Sequence, residues 1–169
     1  IPLALACGTG SRVIAFEPNP IMIGRLGVNI QLNGLSDVIR IEGCALSDRE
    51  GEARLNFCGH NYGQASLNDV KAGMRNGAIV VPTRPLGHFT AASKDHDFTL
   101  IKIDVEGAEE TVLGPILEGA QSGGWLPDAI LIEVRHADEW QTDLCEQIRA
   151  SGFKETMRAE GNALYLKKK

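Results

Sequence analysis

The chain has 169 residues, enough for one domain with a substantial core, and its 43% hydrophobic and 23% charged residues are ordinary for a globular protein. A formal net charge of -5 argues against sequence-independent binding to nucleic acid, since the basic run Lys167, Lys168, Lys169 reads as a solvated tail. No apolar stretch reaches about 18 residues, so no membrane-spanning helix is expected.

Four cysteines, Cys7, Cys44, Cys58 and Cys145, form no CxxC pair and have no histidine at zinc-finger spacing; they read as reduced, mostly buried thiols. Ile1 to Cys7 is apolar but has no basic leader, so no signal peptide is expected and the expected compartment is cytoplasmic. The chain does not begin with Met, which marks the sequence as partial or its start as other than the natural one.

Ile1 to Cys7 reads as the tail of a helix, and Gly8 to Ser11 as a turn leading into a strand over Arg12 to Phe16. Asn19 can cap the following helix, with Pro20 at its first position. Ile23, Leu26 and Ile30 share a face of that helix, and Gly34 suits the left-handed residue after its end. Val38 to Glu42 is a strand, Gly51 to Phe57 a further strand, Cys58 to Ser66 a polar loop, and Ala78 to Val81 a short strand. Thr99 to Ile103 and Ala129 to Val134 are the apolar runs of buried parallel strands. Ala108, Val112, Ile116 and Leu117 keep helical spacing between them, with Pro115 expected to break or kink that helix at Gly114. Trp140, Leu144 and Ile148 form the face of another helix, closed by Gly152. Phe153 to Met157 and Ala163 to Lys167 read as strands joined by a turn at Glu160, Gly161 and Asn162.

This alternation points to an α/β fold with a doubly wound, mostly parallel sheet whose last strand inserts antiparallel. Ligands in such sheets sit at the C-terminal ends of the strands. Glu17 ends the first strand, where a carboxylate can accept hydrogen bonds from the ribose hydroxyls of an adenosine cofactor; a helix-start acid is the structural alternative. Gly8, Thr9 and Gly10 invite comparison with a nucleotide loop. Glu17 follows Gly8 by only nine residues, however, whereas that fold separates the two by about 20.

Asp104 and Glu133 end the two buried strands. If these strands are neighbours, the two acids converge as a general base, as cofactor contacts or as ligands for a hard cation such as Mg²⁺. Glu106 and Glu109 could join them but equally suit the first turn of a helix. Lys102 shares a strand face with Asp104, and a structural ion pair is its simplest reading. Of the four histidines, His136 follows a strand end, His60 lies in a Gly-rich stretch beside Tyr62, and His88 and His96 carry no further signal.

The motifs Ala15-Phe16-Glu17-Pro18-Asn19-Pro20, Ala45-Leu46-Ser47-Asp48 and Ile101-Lys102-Ile103-Asp104-Val105-Glu106-Gly107-Ala108-Glu109 occur in this order, followed by Ile130-Leu131-Ile132-Glu133. The chain thereby resembles the FkbM family of methyltransferases. The resemblance implies a Rossmann-like class I methyltransferase domain over residues 1–169. Such a domain uses S-adenosylmethionine to methylate a hydroxyl on a small molecule or glycan. It implies Glu17 as the ribose-binding acid, with Pro18 and Asn19 beside it, Cys44, Ala45 and Leu46 next to the adenine, and Asp104 facing the methionine end or the acceptor. Asp104, Glu133 and His136 are then the candidate catalytic residues. The family's first strand, with its D-x-G-x-N-x-G loop, has no counterpart before Ile1, and Pro85-Leu86-Gly87-His88 stands where the family usually has a Leu-Asp pair. A nicotinamide-dependent oxidoreductase domain and a non-catalytic methyltransferase fragment are the alternatives; titration with both cofactors separates them.

Overall fold

The structure is a computed structural model that describes residues 1–7, 10–58, 61–66, 75–93, 96–105, 107–135 and 137–168. It divides into two compact units: Ile1–Leu46 with Glu50–Arg84, and Ser47–Arg49 with Pro85–Lys169.

In the first unit, helix α1 (Pro2–Ala6) precedes strand β1 (Val13–Phe16) and helix α2 (Pro20–Leu32). The expected start of α2 is observed: the Asn19 side chain accepts a hydrogen bond from the Ile21 N–H at 3.0 Å, and Pro20 occupies the first helical position. Gly34, with φ 65°, follows its end. Strand β2 (Ile39–Glu42) pairs with β1 in parallel, Phe16 opposite Glu42. Ala4 of α1 packs with Ile30, Leu35 and Ile39, and Val13, Leu26 and Ile41 close around them. Ile1 to Cys7 thus ends as a helix packed on this pair of strands.

The rest of the first unit is a second sheet of β3 (Ala45–Ser47), β4 (Gly51–Cys58), β5 (Asn61–Ser66) and β6 (Arg75–Pro85), in the order β3-β6-β4-β5. Two expectations are corrected here. Asn61–Ser66 is a strand, and the strand expected at Ala78–Val81 runs over 11 residues. Both are long-range effects: β4 pairs antiparallel with each, and ladder hydrogen bonds outweigh the weak strand propensity of a Gly- and Asn-containing segment.

The second unit begins with a 3-10 helix over Leu86–Ser93, then β7 (Leu100–Ile103), α3 (Glu109–Ala120), β8 (Ala129–Glu133), a 3-10 turn over Ala137–Glu139, α4 (Leu144–Ala150), β9 (Phe153–Ala159) and β10 (Asn162–Lys167). The strand order is β7-β8-β10-β9, with β7 and β8 parallel and β10 antiparallel to both its neighbours. Central β8 is apolar and buried nearly throughout, as its sequence requires. Pro115 does not break α3, which continues to Ala120. Pro115 removes the hydrogen bond to the carbonyl of Thr111, and both residues are solvent-exposed, so water can serve that carbonyl. Trp140 lies before α4 rather than on its face.

The described strands form three sheets, in which β1–β2 and β7–β8 are the parallel pairs given by register.

The terminal hairpin turns at Glu160 (φ 52°) and Gly161 (φ 78°), the two positive φ values of a type I′ turn. The Val134 N–H donates to the Gly161 carbonyl at 2.7 Å, which lays the turn across the end of β8. A Cβ at position 161 would fall 2.4 Å from Arg135 Cγ, so glycine is required both by φ and by space.

The hairpin also holds a charged network. Arg158 forms two hydrogen bonds to the Glu155 carboxylate, at 2.7 and 2.8 Å, and the buried Tyr165 hydroxyl donates a third at 2.9 Å. The Arg158 bonds chiefly hold the Glu155 carboxyl down to about 2, against its ordinary 4.5. A depressed acid stabilises the fold above its unfolded value and loses that contribution as pH falls towards the folded one. Stability carried by Glu155 should therefore fade between pH 4.5 and about 2. Urea midpoints across this window should fall less steeply in Glu155→Gln than in the parent; parallel curves would refute the assignment.

Candidate functional site

In the first unit, the candidate residues gather where β1 and β2 end. Glu17 continues β1 by one residue, and its N–H donates to the Glu42 carbonyl at 3.1 Å. This sets Glu17 beside the stretch 42–44. The chain between Glu17 and α2 turns at once: Glu17 Oε1 accepts from the Asn19 N–H at 2.8 Å while Asn19, itself buried, caps α2. The carboxylate is thus aimed by local backbone before any ligand arrives. Partial burial raises the Glu17 carboxyl from its ordinary value, and the Asn19 amide opposes the shift. Pro18 is half-buried.

After β2, Cys44 and Ala45 are buried and Leu46 half-buried, and Ala45 packs with Leu55 and Val81. Burial raises the Cys44 thiol, the Arg84 cation opposes this and Glu42 adds to it. A neutral thiol at this place offers apolar contact rather than nucleophilic chemistry. The positioned Glu17 carboxylate is thus able to accept from hydroxyl donors at the end of β1.

In the second unit, Ile103 lies opposite Ile132, so Asp104 and Glu133 follow at adjacent strand ends and on the same face. Their surroundings differ. Asp104 is exposed and accepts from Lys102 Nζ at 2.7 Å, the ion pair anticipated from strand alternation. Glu133 is buried, with Arg135 Nε 3.6 Å from its Oε1. Arg135 also donates to the Glu160 carbonyl at 3.0 Å, which ties the hairpin turn to this corner. Each acid therefore has its own cation.

His136, Glu106, His60, Gly8 and Thr9 lie outside the described residues; His88 and His96 are exposed. Among the described residues, no group of three or more His, Cys, Asp or Glu side chains could hold a metal ion. Asp104 and Glu133, the two acids considered from sequence for Mg²⁺, are paired with Lys102 and Arg135 respectively.

Glu109 does not join the acids at the strand ends. It stands in the first turn of α3, the other place its sequence position suits, and is completely buried and turned back on its own loop; the burial and the bond from Trp140 are what sequence reasoning did not anticipate. Arg135 was also overlooked. Its spacing of two from Glu133 at a strand end was the available signal.

Residues 2–158 match the family model of the Methyltransferase FkbM domain. The chain belongs to the FkbM methyltransferase family. The fold agrees: the crystal structure of methyltransferase FkbM from Methylobacillus flagellatus KT superposes with a TM-score of 0.58 at 16% identity, over 98% of this chain. The present chain spans 39% of that protein's length. No curated protein matches the chain. Among the described residues, no helix is long and apolar enough to cross a membrane.

Proposed function

We propose that this FkbM chain is a Rossmann-like class I domain that binds S-adenosylmethionine and transfers its methyl group to a hydroxyl oxygen of a small molecule or glycan. The observation that carries this reading is Glu17, aimed by the Asn19 N–H at the end of β1 beside the buried Cys44–Ala45 stretch. The family match runs through both units, which supports treating them as one methyltransferase domain.

S-adenosylmethionine, when bound, supplies an electrophilic methyl group on a sulfonium sulfur. Glu17 accepts hydrogen bonds from the ribose hydroxyls, and Cys44, Ala45 and Leu46 pack beside the adenine. Asp104 accepts the proton that the acceptor hydroxyl gives up as its oxygen bonds to carbon and the methyl group leaves the sulfonium sulfur, with Glu133 at the adjacent strand end; His136 is a further candidate from its place in the sequence. The residues otherwise act by orientation, which suffices for much of the rate of a two-substrate transfer.

Glu17→Ala should weaken binding of S-adenosylhomocysteine by about 1–3 kcal/mol, the scale of leaving hydrogen-bonding groups unpaired. Calorimetry measures this directly, with a nicotinamide dinucleotide as the competing ligand. Equal affinity in parent and variant would remove Glu17 from the site. Binding of the dinucleotide alone would replace the methyltransferase reading with the oxidoreductase one.

A further inference from the structure

We propose that Glu109 and Trp140 are positioning residues, which brace the loop carrying Asp104 against the segment that follows β8. The use of this brace in catalysis rests on the methyltransferase reading above; the brace itself rests on geometry.

Glu109 opens α3 and has no solvent exposure. A carboxylate in such a place is costly unless hydrogen bonds replace its lost water. Oε1 accepts from the Val105 N–H at 3.1 Å and from the Gly107 N–H at 3.2 Å. Oε2 accepts from the indole N–H of Trp140 at 3.1 Å. The two amides belong to the turn between β7 and α3, immediately after Asp104, where Gly107 takes φ 98°. The indole belongs to a segment 31 residues further along.

Helix capping alone does not account for this arrangement. The residue at the cap position, Ala108, makes no side-chain cap, and the two N–H groups that Glu109 binds, those of Val105 and Gly107, precede the helix rather than belong to its first turn. The indole bond serves no helix end; it joins two separate connections at the strand termini. The adjacent Glu110 repeats the link, accepting from the Gln141 N–H at 2.7 Å and from the Thr142 hydroxyl. Thr142 in turn accepts from Gln147 of α4 at 2.8 Å. The turn after Asp104, the start of α3, residues 140–142 and α4 are thus one bonded series. A carboxylate is specifically required at 109, because all three partners are donors and an amide would turn its NH₂ towards one of them.

The test uses the full chain with Glu109→Gln and Trp140→Phe. Three measurements are made: amide exchange at Val105 and Gly107, methyl transfer from labelled S-adenosylmethionine to a panel of hydroxylated acceptors, and S-adenosylhomocysteine affinity. Exchange at both amides should rise about tenfold in Glu109→Gln and by a smaller factor in Trp140→Phe, through local opening. Turnover should fall about tenfold in each variant, and the double variant should be no worse than Glu109→Gln, as for residues acting through one contact. S-adenosylhomocysteine affinity should stay within about twofold, which a general loss of folding would not allow. Trp140→Phe removes one donor from a half-buried site, so it decides the matter if Glu109→Gln folds poorly. Parental exchange and turnover in Trp140→Phe would overturn the brace. Raised exchange in the variants of a parent that transfers no methyl group would instead overturn the catalytic use of the brace, along with the functional reading beneath it.

Discussion

Asp104→Asn is expected to lower methyl-transfer turnover by about 10²-fold or more, the range for removing a general base. The substitution keeps size and shape and removes only the charge, so folding should be nearly unchanged. The residue is exposed, and its ion pair with Lys102 joins two partly solvated groups; such a pair contributes roughly 0–1 kcal/mol. A large loss of rate with parental unfolding behaviour would therefore locate the effect in chemistry. Transfer of labelled methyl groups and urea unfolding on the same preparations make the comparison. Parental turnover in Asp104→Asn would leave Asp104 as the structural partner of Lys102.

Phe153→Ala should cost about 3–5 kcal/mol of stability, the scale for deleting a buried aromatic ring. Phe153 is fully buried at the start of β9, immediately after the positive-φ Gly152. Helix α4 packs on this strand with Leu144 and Ile148 also fully buried, while Tyr165 and Ala163 of β10 are equally inaccessible. Close packing around a ring of this size leaves a cavity that neighbours on rigid strands cannot fill. Met157, on the same strand but exposed, provides the control, and Met157→Ala should shift stability by no more than about 0.5 kcal/mol. Urea unfolding checks both; similar midpoints for the two variants would contradict the placement of the core.

What could be read from sequence was what is encoded locally. Asn19 and Pro20 announce the start of α2, Gly34 its end, and Glu160-Gly161 the hairpin, because each acts through its own backbone and nearest neighbours. The pairing of Lys102 with Asp104 follows from strand alternation. Glu17 could be singled out for the same reason, as it stands directly at a strand end. Strand β5 and the length of β6 were not legible, since their partner in β4 decides them. Pro115 misleads because the cost of its missing hydrogen bond depends on whether water reaches Thr111. The bond from Trp140 to Glu109 spans 31 residues, and no spacing rule connects an indole before one helix to an acid opening another.

The inward turn of Glu109 also sets the electrostatic character of the start of α3. Free amides and the positive end of a helix dipole ordinarily make a landing place for phosphate or sulfate. Here the amides of Val105 and Gly107 already hold a carboxylate from their own chain, and Glu110 adds a second negative charge at the same helix end. Those two amides are therefore taken up from within the chain, and two carboxylates stand at the start of α3.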